Sequence, residues 1–192
     1  MLGAILSGGA SARMGTPKHA LVLPDGRTMI EHVHAALATV CTKIVTLSEH
    51  EILRGVVQVP DRTNHLGPLG GLEALLASGL SSDYILVPCD MPRLTGDILR
   101  ALLVATARPI TALRVKTESA PRPLPLRLSD SLLPLIRARI DAGNLSVQGL
   151  LEAAEVEIVI APPEWECALE NINTPEEYAS LRHSLQPQRP IE

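Results

Sequence analysis

Short apolar runs alternate with amphipathic stretches along this chain, and that alternation restricts the fold more than any other feature. Ala4-Ile-Leu6, Lys43-Ile-Val-Thr-Leu47, Val56-Val-Gln-Val59, Tyr84-Ile-Leu-Val87 and Pro109-Ile-Thr-Ala-Leu-Arg-Val115 read as strands, with helical patterns placed between them. This is how a sheet built from βαβ units appears in sequence. The first predicted helix begins after Thr28, with Glu31 completing a capping box and Ile30, Val33 and Leu37 on one stripe. A second begins near Gly67-Pro68 and runs through Leu72, Leu75 and Leu76 to a stop at Gly79. A third spans Thr95 to about Leu103.

The second half is less regular. Prolines at 121, 123 and 125 remove backbone donors from Thr117 to Leu128, which reads as an edge strand or a mobile loop and not as a central strand. Asp130 to Ile140 and Ser146 to Ala154 read as helices, Val156 to Ile160 as a strand, and Pro175 to Leu185 as a closing helix. A chain of 192 residues with 46% hydrophobic content builds one substantial core. The expectation is one domain over residues 1–185 and a disordered tail over 186–192.

Composition excludes several classes of function. Phenylalanine is absent and aromatics total 2%, so few rings are present on which bases could stack. The formal charge is -4, with no basic tract, so neither a nucleic-acid nor a membrane surface is expected. The apolar N-terminus is short and lacks a basic flank, so a cytoplasmic protein is expected. Cys41, Cys89 and Cys167 are widely spaced, which suggests neither a zinc site nor a disulfide framework. Cys89 reads as a buried cysteine, and the six histidines show no metal-ligand spacing.

Four segments carry candidate chemistry. The run Leu6-Ser-Gly-Gly-Ala-Ser-Ala-Arg-Met-Gly-Thr-Pro-Lys18 turns out of a strand through Ser7, Gly8 and Gly9, then presents Arg13 and Lys18. Glycines let backbone N–H groups surround phosphate oxygens, while the cations neutralise charge. Its spacing matches neither the kinase-type phosphate loop nor the dinucleotide fingerprint. Alone, it is also compatible with an ordinary turn.

Asp90 ends an apolar strand between Pro88 and Pro92, where an open α/β sheet binds ligands, and its carboxylate suits Mg²⁺. The plainer alternative is a turn-capping aspartate. Asp61 and the glycines of Gly67-Pro-Leu-Gly-Gly71 stand at another strand end, where Gly67 and Gly71 offer bare backbone to a base edge. A solvated loop leading into a helix explains them equally well. Asn171 and Asn173 precede a helix capped by Thr174 and Glu177, and capping leaves the two amides without a purpose.

Taken in order, these motifs resemble the molybdenum cofactor guanylyltransferases, within the larger group of small glycine-loop nucleotidyltransferases. The resemblance covers most of the chain. It implies a three-layer α/β/α, Rossmann-like nucleotidyltransferase fold with a mostly parallel sheet. It also implies transfer of GMP from Mg²⁺-bound GTP to the terminal phosphate of molybdopterin, with other cofactor-biosynthesis proteins or molybdoenzymes as further partners. A related transferase using CTP or another phosphorylated acceptor, or a non-catalytic nucleotide-binding homologue, is the alternative.

Under the resemblance, Leu6, Ser7, Gly8, Gly9, Lys18, Asp61, Gly67, Gly71, Asp90, Asn171 and Asn173 bind the nucleotide. Arg13, Lys18 and Asp90 act in catalysis, and Asp90 holds the metal. Three positions depart from the pattern: Ser7 stands for alanine, Ser48 for an asparagine, and Arg122 for the histidine of a histidine-proline-leucine segment on the pterin side.

Overall fold

The computed structural model describes residues 1–7, 16–60, 66–104 and 106–186. Seven strands form one sheet: β1 (Leu2–Leu6), β2 (Lys43–Leu47), β3 (Val57–Val59), β4 (Asp83–Pro88), β5 (Ile110–Val115), β6 (Leu126–Ser129) and β7 (Val156–Ala161). Their spatial order is β3-β2-β1-β4-β6-β5-β7. The β1–β2, β1–β4, β2–β3 and β5–β7 pairs are parallel, while β6 runs antiparallel to both β4 and β5. All strands except β6 therefore point their carboxyl ends to the same edge.

Alternation along each strand divides the core in two. Leu2, Ala4 and Leu6 of β1 and Tyr84 and Leu86 of β4 join the cluster formed by α2 (Gly67–Ala77), α4 (Leu133–Asp141) and α5 (Val147–Ala153). Ile5, Ile85 and Val87 face the other way, against α1 (Met29–Ala38) and α3 (Gly96–Ala101). Period-two alternation with both faces covered produces a three-layer α/β/α arrangement, the expected fold class. A smaller cluster of Leu23, Met29, Ile172 and Leu181 fixes α6 (Pro175–Ser184) beside the start of α1.

Local signals set the helix starts. Thr28 and Glu31 form the capping box at α1, and Thr174 and Glu177 form its counterpart at α6. Thr95 caps α3, which ends at Ala101, short of the expected Leu103. At α2, Pro68 occupies the first turn and Gly79, at φ +64°, follows the end.

One expectation is overturned. The segment read as an edge strand or loop supplies β6, which lies inside the sheet between β4 and β5. Its prolines, at 121, 123 and 125, all precede the strand, which begins at Leu126, so the β6 ladder lacks no donor. A 3₁₀ segment over Pro163–Leu169 was not anticipated either. Of the expected tail, residues 187–192 lie outside the described residues, and Gln186 donates its backbone N–H to the His183 carbonyl at 3.3 Å.

Candidate active site

The strand order creates a natural crevice. From β1 the chain steps outward through β2 and β3, then returns to place β4 on the opposite side of β1. Connections leave β1 and β4 in opposite directions, and ligands of open α/β sheets bind at such a switch point, outside the carboxyl ends of the strands. The two strand ends are tied together there: the Cys89 N–H donates to the Leu6 carbonyl at 3.0 Å.

Lys18 and Asp90 meet at this crevice. Lys18 opens a single 3₁₀ turn (Lys18–Ala20) after the segment that follows β1, while Asp90 lies just past β4 and is 8% exposed. Lys18 Nζ lies 2.8 Å from Asp90 Oδ2 and donates to Asn173 Oδ1 at 2.5 Å. Asn171 Nδ2 donates to Asp90 Oδ1 at 2.7 Å, and the Ile172 N–H to the Asp90 carbonyl at 2.9 Å. One carboxylate thus holds a cation on one oxygen and an amide on the other. A charged group this far from water is tolerated because it is paired and hydrogen-bonded.

The two asparagines are themselves fixed by α6. Glu177 Oε2 accepts the backbone N–H groups of Asn173 at 2.5 Å and of Thr174 at 3.1 Å. The capping box at Thr174 therefore starts the helix and also sets the Asn171–Asn173 strap across Asp90. Tyr178 secures the same helix by donating its hydroxyl to the Val22 carbonyl.

The other expected site residues fall into three groups. Gly8, Gly9, Arg13 and Asp61 lie outside the described residues. Leu6 and Ser7 stand at the carboxyl end of β1: the Leu6 side chain is in the core, and the Ser7 hydroxyl donates to the Leu47 carbonyl at 2.8 Å, joining β1 to β2. Gly67 opens α2 at φ +58°, with nothing within 4 Å of where a side chain would begin.

Gly71 packs against the carboxyl ends of β1 and β2. It is buried within α2, and a Cβ there would come within 3.3 Å of Leu6 Cδ1 and 3.5 Å of Leu47 Cδ1. Its absent side chain lets α2 approach the sheet, so the structure gives this glycine a packing role.

Cys89 is buried, and its thiol is pushed up to about 12, first by burial and then by the Asp90 carboxylate. It is an inert thiol beside the site, as a buried cysteine should be. His19, next to Lys18, has its imidazole held below the usual range by partial burial. The Ser48 hydroxyl donates to the His50 carbonyl at 2.9 Å and lies 3.1 Å from Thr46 Oγ1.

Among the described residues no cluster of three or more His, Cys, Asp or Glu side chains is present, so they build no closed metal cage. The donor set fits a cation of a different kind. Mg²⁺ is commonly bound through one or two carboxylates together with substrate phosphates, and Asp90 supplies one hard-oxygen carboxylate with lone pairs left over from its two donors.

Known proteins resemble this chain in sequence and in fold. The family model of the MobA-like NTP transferase domain matches residues 3–158. The chain belongs to this family. It is an NTP transferase, and its relatives are similar over nearly their full length. A molybdenum cofactor guanylyltransferase of Xanthomonas euvesicatoria pv. vesicatoria is 31% identical, with 94% of each chain covered. A probable molybdenum cofactor guanylyltransferase of Flavobacterium johnsoniae is 28% identical, covering 94% of this chain and 96% of its own. Among solved structures, the molybdopterin-guanine dinucleotide biosynthesis protein A of Archaeoglobus fulgidus superposes with a TM-score of 0.79 at 20% identity, over 96% of this chain and 98% of that one. That likeness establishes the fold.

Sequence reading did not find every residue at the crevice. Met91 and Glu118 line its far side with Arg122 and Asn171, and no local spacing marks them. No helix among the described residues is long and apolar enough to cross a membrane.

Proposed function

We propose that this MobA-like transferase moves the guanylyl group of GTP onto the terminal phosphate of molybdopterin and releases pyrophosphate. Its curated relatives bear the name of this activity, and one observation in this chain carries the reading: Lys18 Nζ is held between Asp90 and Asn173 at the switch point of the sheet. The reading takes residues 1–185 as one catalytic domain.

An oxygen of the acceptor's phosphate attacks the α-phosphorus of GTP. A phosphoanhydride bond forms as the bond from the α-phosphorus to the bridging oxygen breaks, and the electron pair leaves with pyrophosphate. A phosphate monoester is already anionic near neutral pH, so no general base is required. The barrier lies in aligning two anions in line and in stabilising the charge that gathers around phosphorus.

Lys18 meets that requirement as a fixed cation, because its contacts to Asp90 and Asn173 hold the ammonium before the nucleotide arrives. Arg13 adds a second positive charge, and the amides of Gly8 and Gly9 receive phosphate oxygens. Asp61 and Gly67 take the nucleoside side, beyond β3 and at the start of α2. Asp90 would hold Mg²⁺ jointly with triphosphate oxygens, where the ion supplies Lewis-acid neutralisation of phosphate charge. Asn171 orients the Asp90 carboxylate through its 2.7 Å hydrogen bond.

The test is transfer itself. Protein incubated with Mg²⁺, GTP labelled at the α-phosphate and molybdopterin is expected to produce labelled dinucleotide and pyrophosphate in equal amounts. Equal use of CTP, or transfer only to a different phosphorylated acceptor, overturns the assignment. Thermal-shift measurements across the four ribonucleotides supply an independent check, since the preferred ligand stabilises according to its concentration over its dissociation constant.

A further inference from the structure

Lys18 and Asp90 meet in a pairing that has to change before a triphosphate and a divalent cation are both bound. Lys18 Nζ lies 2.8 Å from Asp90 Oδ2, on the same carboxylate that would hold the metal. Asn171 Nδ2 donates to the other oxygen at 2.7 Å. The side chains of Lys18 and Asp90 are only 20% and 12% exposed, so solvent screens the attraction between them weakly.

Counting donors alone leaves room for a metal, because a carboxylate has about four lone-pair positions. The charges conflict all the same. A divalent ion bound to an Asp90 oxygen at about 2.0–2.1 Å would stand within a few ångströms of the Lys18 ammonium. One carboxylate would then face two cations, and the described residues gather no cluster of acidic side chains to offset them. Repulsion between cations shielded from water is strong.

The second contact of Lys18 shows how the conflict is resolved. Asn173 Oδ1 accepts from the same Nζ at 2.5 Å, and the Asn173 backbone N–H is itself held by Glu177 Oε2 at 2.5 Å. An ammonium has three N–H donors, so it exchanges one acceptor without giving up another. Lys18 can therefore trade the carboxylate oxygen for a phosphate oxygen while Asn173 keeps it at the crevice. The neutral amide is a fixed point that adds no charge in competition with phosphate.

We propose that Lys18 is the exchangeable counter-ion of Asp90. It keeps a bare divalent cation off the carboxylate, and it releases the carboxylate when a triphosphate takes over the ammonium. Metal and nucleotide then raise each other's affinity by the same factor, as linkage requires. The proposal rests on the reading that Asp90 holds the metal. It gives Lys18 a task in the protein without nucleotide, separate from its stabilisation of phosphate charge.

Binding of Mn²⁺ alone, followed by electron paramagnetic resonance of the free ion, isolates that task from turnover. Lys18→Met removes the charge and keeps most of the stem, and is expected to bind Mn²⁺ about tenfold or more tightly than the wild-type protein. Lys18→Arg keeps the charge and should stay within about threefold of wild type. Asp90→Asn on the Lys18→Met background should abolish the gain. Unchanged Mn²⁺ affinity in folded Lys18→Met, an equal gain in Lys18→Arg, or a gain that survives Asp90→Asn overturns the proposal.

A second measurement separates failure of the exchange from failure of the metal reading. The thermal shift produced by GTP is compared with and without Mg²⁺ in the wild-type protein and in Asp90→Asn. A Mg²⁺-dependent part of the shift that Asp90→Asn removes supports Asp90 as the metal carboxylate. Found together with unchanged Mn²⁺ affinity in Lys18→Met, it defeats the exchange and leaves the metal reading standing. A Mg²⁺-dependent shift that Asp90→Asn leaves intact defeats both.

Discussion

The two halves of the sheet border one crevice but are built in different ways. On one side, β3, β2, β1 and β4 are all parallel, and Asp90 lies just past β4, while Lys18 opens a separate 3₁₀ turn after β1. On the other, the reversed strand β6 separates β4 from β5, and the Glu118–Arg122 wall is completed by Leu169, which is 47 residues away in sequence. The first half places Asp90 just past β4 and brings Lys18 to it from 72 residues away. The second pairs Glu118 with Arg122 just after β5 and fastens Arg122 to the Leu169 carbonyl. The difference teaches that the parallel half gathers its charged groups from distant segments, Lys18 meeting Asp90 and Asn173 across 72 and 155 residues, whereas the Glu118–Arg122 pair forms within one short segment.

The largest expected effect tests whether catalytic charge is confined to the parallel half. Lys18→Ala and Asp90→Ala should each lower kcat by about 10²- to 10³-fold or more, with the protein remaining folded by circular dichroism. Full activity in either variant removes the basis of the comparison.

A packing change in the same half should act in the opposite manner. Gly71→Val pushes α2 away from Leu6 and Leu47 and is expected to cost about 1–3 kcal/mol in urea unfolding, with Gly71→Ala costing less. If Gly71→Val leaves stability intact and weakens GTP binding alone, the glycine serves the ligand and not the sheet.

The two capping boxes give a matched pair, one at each end of the chain. Thr28→Ala and Thr174→Ala should each cost about 1 kcal/mol. Only Thr174→Ala is expected to raise KM for the nucleotide, because it loosens the strap carrying Asn171 and Asn173. Equal kinetics in the two variants would show that α6 does not position the site.

The smallest effect concerns thiols. At about pH 8, iodoacetamide should label exposed Cys167 while buried Cys89 stays unmodified, and mass spectrometry of the native protein reads this directly. Rapid labelling of Cys89 would mean that the β1–β4 junction opens in solution.

Much of the parallel half was legible before any coordinates. Lys43–Leu47 was bounded as found, the capping boxes at Thr28 and Thr174 stand where Thr-x-x-Glu spacing put them, and Asp90 sits at its expected strand end. These signals involve residues a few positions apart, whose interactions form within one turn or strand end. The packing role of Gly71 is not legible in sequence, because a glycine that admits a ligand and one that admits a helix look the same until the facing side chains, here Leu6 and Leu47, are known. The prolines before β6 suggest that a central strand is excluded, yet all three stop short of the ladder, which begins at Leu126.

The sequence by itself determined the α/β alternation, the helix caps and the identities of the groups that carry charge, since each follows from periodicity or from chemistry within a short window. Only the tertiary structure decided that β6 runs backwards inside the sheet, that Lys18 reaches Asp90 and Asn173 across 72 and 155 residues, and that Arg122 is held by Glu118 and Leu169. Those outcomes depend on which strands pair and which faces pack, and such contacts between distant segments are set by burial of the whole core.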